Sequence, residues 1–246
     1  MSRPPVRLEP DLMNDHDSLP PSNDPHSVAV LMSGGSDSAI LAADLAHQGC
    51  FVHPIYIRFG LRWEDVELQY AKQFMAALGS LMIRPLVVLD QPMADVYGDH
   101  WSRTGQVPDA QSQDEAVYLP GRNILLMSKA SVWCALNGVH EIYSGVLSGN
   151  PFPDASSDFF ESLAKTLSEG LSWPIQIVRP FSGLSKTDVL ELGRNLPLEH
   201  TFSCLNPVEG HHCGACNKCA ERHKGFIDLG INDKTVYSRP FLNVTV

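Results

Sequence analysis

The chain has 246 residues, a net charge of −10 and 43% hydrophobic residues, enough for one full-sized core. The acidic balance argues against direct nucleic-acid binding and leaves room only for a local phosphate pocket. No apolar run reaches the ~18–20 residues of a membrane span, and residues 1–5 lack the apolar stretch of an export signal, so a cytoplasmic protein without membrane association is expected.

Residues 1–26 carry six prolines among Asp, Asn and Ser with no apolar period, which predicts a disordered or loosely draped tail. Order is expected from the apolar run 28–32, a buried strand, followed by a Gly-Ser loop and a helix over 37–48 that Gly49 ends. A second strand is predicted over 51–58. A helix over 64–78 follows, with Val66, Leu68, Tyr70, Phe74, Ala77 and Leu78 as its apolar face and Gly79 as its stop. The third strand is expected over 86–89. Residues 90–118 are polar and Gly/Pro-punctuated and read as a long loop, a feature usually tied to function. Helices over 123–136 and 159–171 alternate with strands over 141–145 and 174–178, and 146–157 reads as a second Gly/Asn/Pro loop. Ser185 with Asp188 three residues on predicts a capped helix ending at Gly193, and a last short helix is expected over 220–229. Strands alternating with helices predict an α/β fold with a doubly wound, mostly parallel sheet, whose ligands bind beyond the carboxyl ends of the strands. A nucleotide-binding domain over 27–200 and a small cysteine-bearing region over 201–246 are expected.

The loop Ser33-Gly34-Gly35-Ser36-Asp37-Ser38 joins an apolar strand to a helix. Its glycines let backbone approach an anion, its serines add hydroxyl donors, and the helix N-terminus offers free N–H groups. Asp37 suits a phosphate site where Mg²⁺ bridges, or else caps the helix. The loop lacks the Gly-Lys-Ser/Thr of the Walker type. Four of the six cysteines, Cys204, Cys213, Cys216 and Cys219, fall within one short segment. Four thiolates at this spacing predict a structural Zn²⁺ site, against an iron–sulfur cluster or free buried thiols. Cys134, on an apolar helix, reads as core.

Ser-Gly-Gly-x-Asp-Ser after a first strand resembles the PP-loop ATP pyrophosphatases. Combined with the C-terminal cysteines, it resembles their 7-cyano-7-deazaguanine synthase family. Leu119-Pro120-Gly121-Arg122-Asn123, Phe152-Pro153-Asp154, Ser185-Lys186, Phe202-Ser203-Cys204 and Cys213-Gly214-Ala215-Cys216-Asn217-Lys218-Cys219 are similar to further segments of that family. Two stretches depart from it. Phe59-Gly60-Leu61-Arg62-Trp63 stands where the family shows Gly-Gln-Arg-His, and the acidic stretch and Cys-Arg pair after strand four are replaced around residues 146–156.

The resemblance implies ATP with Mg²⁺, ammonia and a small planar carboxylate as partners, with a homodimer as a candidate assembly. It implies two ATP-dependent steps, carboxylate to amide and amide to nitrile. The nucleotide stretch is taken as Met32, Ser33, Gly34, Gly35, Ser36, Asp37, Ser38, Ala39, Ile40, Leu41 and Ala42. Ser33, Asp37, Ser38, Arg62, Arg122 and Lys186 are the candidate catalytic residues, the arginines as phosphate or carboxylate clamps and Lys186 as a phosphate contact or an exposed first-turn lysine. Asn123 reads a base edge or caps its helix, Asp154 accepts from a guanine-like ring or starts a turn, and Trp63 stacks on a planar ligand or packs in the core. A ligase adenylating another carboxylate, and a non-catalytic zinc-stabilised nucleotide-binding regulator, are the rival readings.

Overall fold

The computed structural model describes residues 26–241. The tail expected over 1–26 lies outside these residues, apart from His26. Strands β1 (Ser27–Leu31), β2 (Phe51–Arg58), β3 (Val87–Asp90), β4 (Glu141–Tyr143) and β5 (Gln176–Val178) form one sheet in the order β3-β2-β1-β4-β5. Every neighbouring pair is parallel. The sheet is therefore the doubly wound type expected from the alternating pattern. After β1 the chain builds outward through β2 and β3, then returns to place β4 on the other side of β1. The crevice beyond the carboxyl ends of β1 and β4 is the switch point, where such sheets bind ligands.

Successive residues of β1 face opposite layers. Val28 and Val30 pack with α1 (Ser36–His47), α6 (Lys186–Leu192) and α7 (Asn217–Asp228), through Ile40, Leu41, Leu190 and Phe226. Ala29 packs with α4 (Arg122–Leu136) and α5 (Ser157–Leu171), through Met127, Ala130, Cys134 and Phe160. Burial on both faces explains why the strands read as continuous apolar runs rather than alternating ones. Among the described residues, no helix is long and apolar enough to cross a membrane.

The predicted elements recur with shifted ends. The predicted loop over 90–118 contains α3 (Ala94–Tyr97) and a 3-10 turn at Asp114–Val117, each four residues, too short to show a period. The last helix starts at Asn217 rather than 220, because Cys216 and Cys219 occupy its first turn and hide the apolar repeat. The helix after Ser185 carries the expected capping box. Ser185 Oγ accepts from Asp188 N at 3.2 Å, and Asp188 Oδ2 accepts from Ser185 N at 2.8 Å.

Helix α2 (Glu64–Leu78) departs most from its predicted apolar face. Its buried stripe is Glu64, Glu67, Ala71 and Phe74, and Ala77 is exposed. Two glutamates can occupy that stripe because both are hydrogen-bonded. Glu64 accepts from the backbone N–H groups of Phe59 and Gly60, and Glu67 Oε2 accepts from the Tyr56 hydroxyl at 2.6 Å.

Candidate functional site

A cavity of about 390 Å³ opens at the switch point. The loop after β1 supplies Ser33, Gly35, Ser36, Asp37 and Ser38. The loop after β4 supplies residues 144–152, and α4 supplies Arg122, Asn123 and Leu126. The segment leading into the cysteines completes the wall with Phe202, Ser203 and Cys204.

The phosphate loop is held by its own hydroxyls. Ser38 Oγ accepts from Ser33 N at 3.2 Å, lies 3.1 Å from Ser33 Oγ, and donates to Gly35 O at 3.1 Å. Gly35 is the N-cap of α1 and no side chain caps it, so the first N–H groups of the helix remain available to an anion. Gly34 has φ of +76°, and a Cβ there would lie 2.8 Å from the Glu67 carbonyl oxygen and 2.9 Å from its Cγ. Only glycine fits between the loop and α2. Behind the loop, Phe202 N donates to Gly34 O at 2.8 Å, tying the cysteine-bearing segment to the Gly-Ser loop after β1.

Lys186, from the first turn of α6, reaches Asp37 Oδ1 at 2.7 Å, Asp37 Oδ2 at 2.9 Å and Ser36 Oγ at 3.0 Å. The sequence could not tell a phosphate contact from an exposed lysine; the fold places this ammonium at the loop, paired with Asp37. Glu221 of α7 also lines the cavity, held below the usual carboxylate range by Lys186 and Lys218 against the opposing effect of burial.

Asn123 and Asp154 meet at the other candidate subsite. Asn123 N donates to Asp154 Oδ2 at 3.2 Å, and Asn123 Nδ2 donates to Asp154 O at 2.9 Å. Asp154 is buried, and its Oδ1 has no partner among the described residues. A buried acceptor without a donor costs free energy until a ligand supplies one. Arg122 lines the same cavity, with its Nε buried and likewise unpartnered. Trp63 is buried and lines the cavity, stacked on Trp101 with ring centroids 5.8 Å apart at 21°.

Not every expected residue arrives here. Arg62 is exposed, donates to Gly105 O at 2.9 Å and is not among the lining residues. Its guanidinium braces the long loop. Ala39, Ile40, Leu41 and Ala42 are buried in the core under the sheet, and Met32 packs on Phe74, so they support the loop without facing the cavity. Asp114, in the long loop after β3, lines the cavity and pairs with Lys218 at 3.5 Å. Sequence reasoning missed Glu67, Trp101, Tyr118, Phe152 and Glu221 as lining residues. The available signal for Glu67 was two acids, Glu64 and Glu67, spaced three apart on the helix right after a buried tryptophan.

The four cysteines converge. Their sulfurs all lie within 4.8 Å of one another, with Cys213–Cys219 at 3.9 Å and Cys204–Cys216 at 4.0 Å. Tetrahedral zinc with bonds near 2.3 Å needs sulfurs roughly 3.8 Å apart, so the donor set and its geometry fit. Backbone N–H groups of Asn206 and Cys213 point at Cys204 Sγ, each at 3.2 Å. The site is closed by four buried side chains, which suits a structural metal.

A family model described as Queuosine biosynthesis protein QueC matches residues 27–230. A 7-cyano-7-deazaguanine synthase of Methanosphaerula palustris is 33% identical over 219 residues, covering 84% of this chain and 97% of that protein. One from Erythrobacter litoralis is 31% identical over 229 residues, covering 88% and 94%. Among solved structures, a 4-thiouridine synthetase–RNA complex with bound ATP is 17% identical over 84% of this chain and 52% of that one, with a TM-score of 0.48, too distant to carry an argument.

Proposed function

The chain belongs to the QueC family of queuosine biosynthesis proteins, and on that premise we propose that it converts 7-carboxy-7-deazaguanine, ATP and ammonia into 7-cyano-7-deazaguanine through an acyl adenylate and an amide. It is an enzyme of this synthase family, an ATP-dependent carbon–nitrogen ligase. The observation that carries the reading is the sharing of one cavity by a phosphate loop and an unpartnered buried carboxylate oxygen on Asp154. The first suits the pyrophosphate of ATP, and the second suits the N–H donors along the edge of a guanine-like ring.

In this reading the α1 N-terminus and the hydroxyls of Ser33, Ser36 and Ser38 meet the charge that builds on departing pyrophosphate. Lys186, which pairs with Asp37, would contact that phosphate, and Asp37 would hold the Mg²⁺ that travels with ATP and neutralises its phosphate charge. Arg122 orients the carboxylate toward the α-phosphate. Asp154 and Asn123 fix the ring, and the Trp63–Trp101 pair walls one side of the cavity. When bound, zinc supplies folding energy through Cys204, Cys213, Cys216 and Cys219 and no chemistry. The amide then meets a second ATP in the same site, and loss of AMP leaves the nitrile.

Trp63 stands where the family pattern has an imidazole, and this favours one rival, a ligase of the same chemistry acting on a different planar carboxylate. A pyrophosphate-release assay across a panel of carboxylates separates the two. Release with 7-carboxy-7-deazaguanine, followed by product masses of the amide and then the nitrile, is the expected result. Release only with another acid overturns the substrate assignment.

A further inference from the structure

Glu67 stands where the phosphate loop meets the cavity, and no step above uses it. Its side chain is buried and lines the cavity, and its Cγ sits under Gly34. Oε2 is occupied by the Tyr56 hydroxyl at 2.6 Å, whereas Oε1 has no hydrogen-bond partner among the described residues. Arg122 is near enough to favour the ionised carboxylate, yet the two form no ion pair, and Arg122 Nε is itself buried without a partner. A buried carboxylate and a guanidinium that share a cavity without meeting leave room for two ligand groups of opposite charge. Arg122 suits the anionic reactant. Glu67 suits a small cation, and the tight space under the phosphate loop suits one without a side chain.

We propose that Glu67 binds the incoming ammonium ion through Oε1 and takes its proton, delivering ammonia to the acyl carbon held beside Arg122. The inference rests on the amide-forming reaction proposed above and adds the site of its nitrogen substrate. In the step, one ammonium N–H bond breaks and the proton moves to Glu67. The freed lone pair of ammonia forms the C–N bond, the acyl C–O bond breaks with its electron pair leaving on AMP, and the nitrogen sheds a second proton to water. Glu67 returns its proton to solvent between turnovers.

The surroundings match that role. Burial pushes the Glu67 carboxyl up, while Arg122 of α4 and the hydrogen bond from Tyr56 of β2 draw it back and Glu64 on its own helix opposes them, leaving it at about 7. A carboxylate poised there accepts a proton near neutral pH far better than an exposed glutamate. Burial and the neighbouring Glu67 charge hold the Tyr56 phenol well above its ordinary range, so Tyr56 stays a donor and leaves Oε1 as the free acceptor.

The test compares Glu67→Gln and Tyr56→Phe with the full-length wild type at pH 7.5. The first half-reaction is read by carboxylate-dependent ATP–pyrophosphate exchange without ammonium, and the second by amide formation against ammonium chloride. For Glu67→Gln, amide formation falls by about 10²–10³-fold with a raised KM for ammonium, while exchange stays within about threefold of wild type. Hydroxylamine, a nucleophile already neutral at this pH, restores turnover of that variant to within about tenfold. Tyr56→Phe, which keeps its ring, loses amide formation by about tenfold and keeps exchange. Loss of exchange in step with amide formation overturns the proposal, because Glu67 then serves the nucleotide half. Unchanged ammonium kinetics in Glu67→Gln also overturn it. Absence of exchange in the wild type removes the underlying reaction and this inference with it.

Discussion

Cys216→Ser removes one corner of the proposed zinc site, and the structure sets how far the damage spreads. Cys216 is 1% exposed, and its sulfur accepts from Leu205 N at 3.5 Å. Structural zinc in comparable sites supplies about 10–16 kcal/mol of apparent binding free energy, as much as the whole stability of a typical domain, about 5–15 kcal/mol. Part of that is regained by the three remaining thiolates and by relaxation, so a loss of about 4 kcal/mol is the working figure. At ~2–4 °C per kcal/mol for a chain of this size, Tm falls by on the order of 10–15 °C. The loss also reaches the Gly-Ser loop after β1. The cysteine segment holds Gly34 through Phe202, and Asn217 at the start of α7 holds the long loop through Pro108 O at 3.1 Å and Ser112 O at 2.7 Å. The assay pairs elemental analysis with differential scanning calorimetry, with Cys134→Ser as the control for a buried cysteine outside the cluster. Wild type is expected to carry one zinc per chain. A Cys216→Ser protein with wild-type Tm, or a wild type holding iron or no metal, refutes the reasoning.

Gly34→Ala places a methyl group 2.8 Å from the Glu67 carbonyl in a backbone conformation with φ of +76°, so ATP affinity measured by titration calorimetry is expected to fall at least tenfold. Asp154→Asn turns an unpartnered acceptor site partly into a donor, and KM for the carboxylate should rise by roughly 10–100-fold while KM for ATP changes little. The raised Glu67 carboxyl also predicts a stability trend. A group whose folded pKa lies above its unfolded 4.5 favours folding when protonated, so its contribution is fully present below about 4.5 and is lost as pH rises through about 7. Denaturant unfolding should show Glu67→Gln gaining on wild type between pH 5 and pH 8, by on the order of 3 kcal/mol at most.

The features legible in the sequence are those written locally. The phosphate loop, the cysteine spacing and the Ser185 capping box each depend on a few adjacent residues, and the parallel sheet follows from apolar runs alternating with helical periods. What stayed hidden depends on contacts between distant segments. Trp101 lies in a stretch without period and gains its place by packing against Trp63 and His100. Lys186 acquires meaning when α6 packs beside α1, some 150 residues away in the chain. Arg62 looked like a clamp because its neighbours match a family pattern, yet the turn into α2 points it at Gly105. Glu67 was masked by the assumption that buried helix positions are apolar, a rule that fails where a hydroxyl from a neighbouring strand satisfies the charge.

The most direct measurement supplies 7-carboxy-7-deazaguanine with both carboxylate oxygens as ¹⁸O, together with ATP, Mg²⁺ and ammonia, and follows the label by mass spectrometry. Attack of the carboxylate and then of the amide oxygen on the α-phosphate sends each oxygen into AMP. The expected result is two AMP per nitrile, each carrying one ¹⁸O, with unlabelled pyrophosphate. Label in inorganic phosphate or pyrophosphate, or unlabelled AMP beside a labelled product, would contradict adenylation at this phosphate loop.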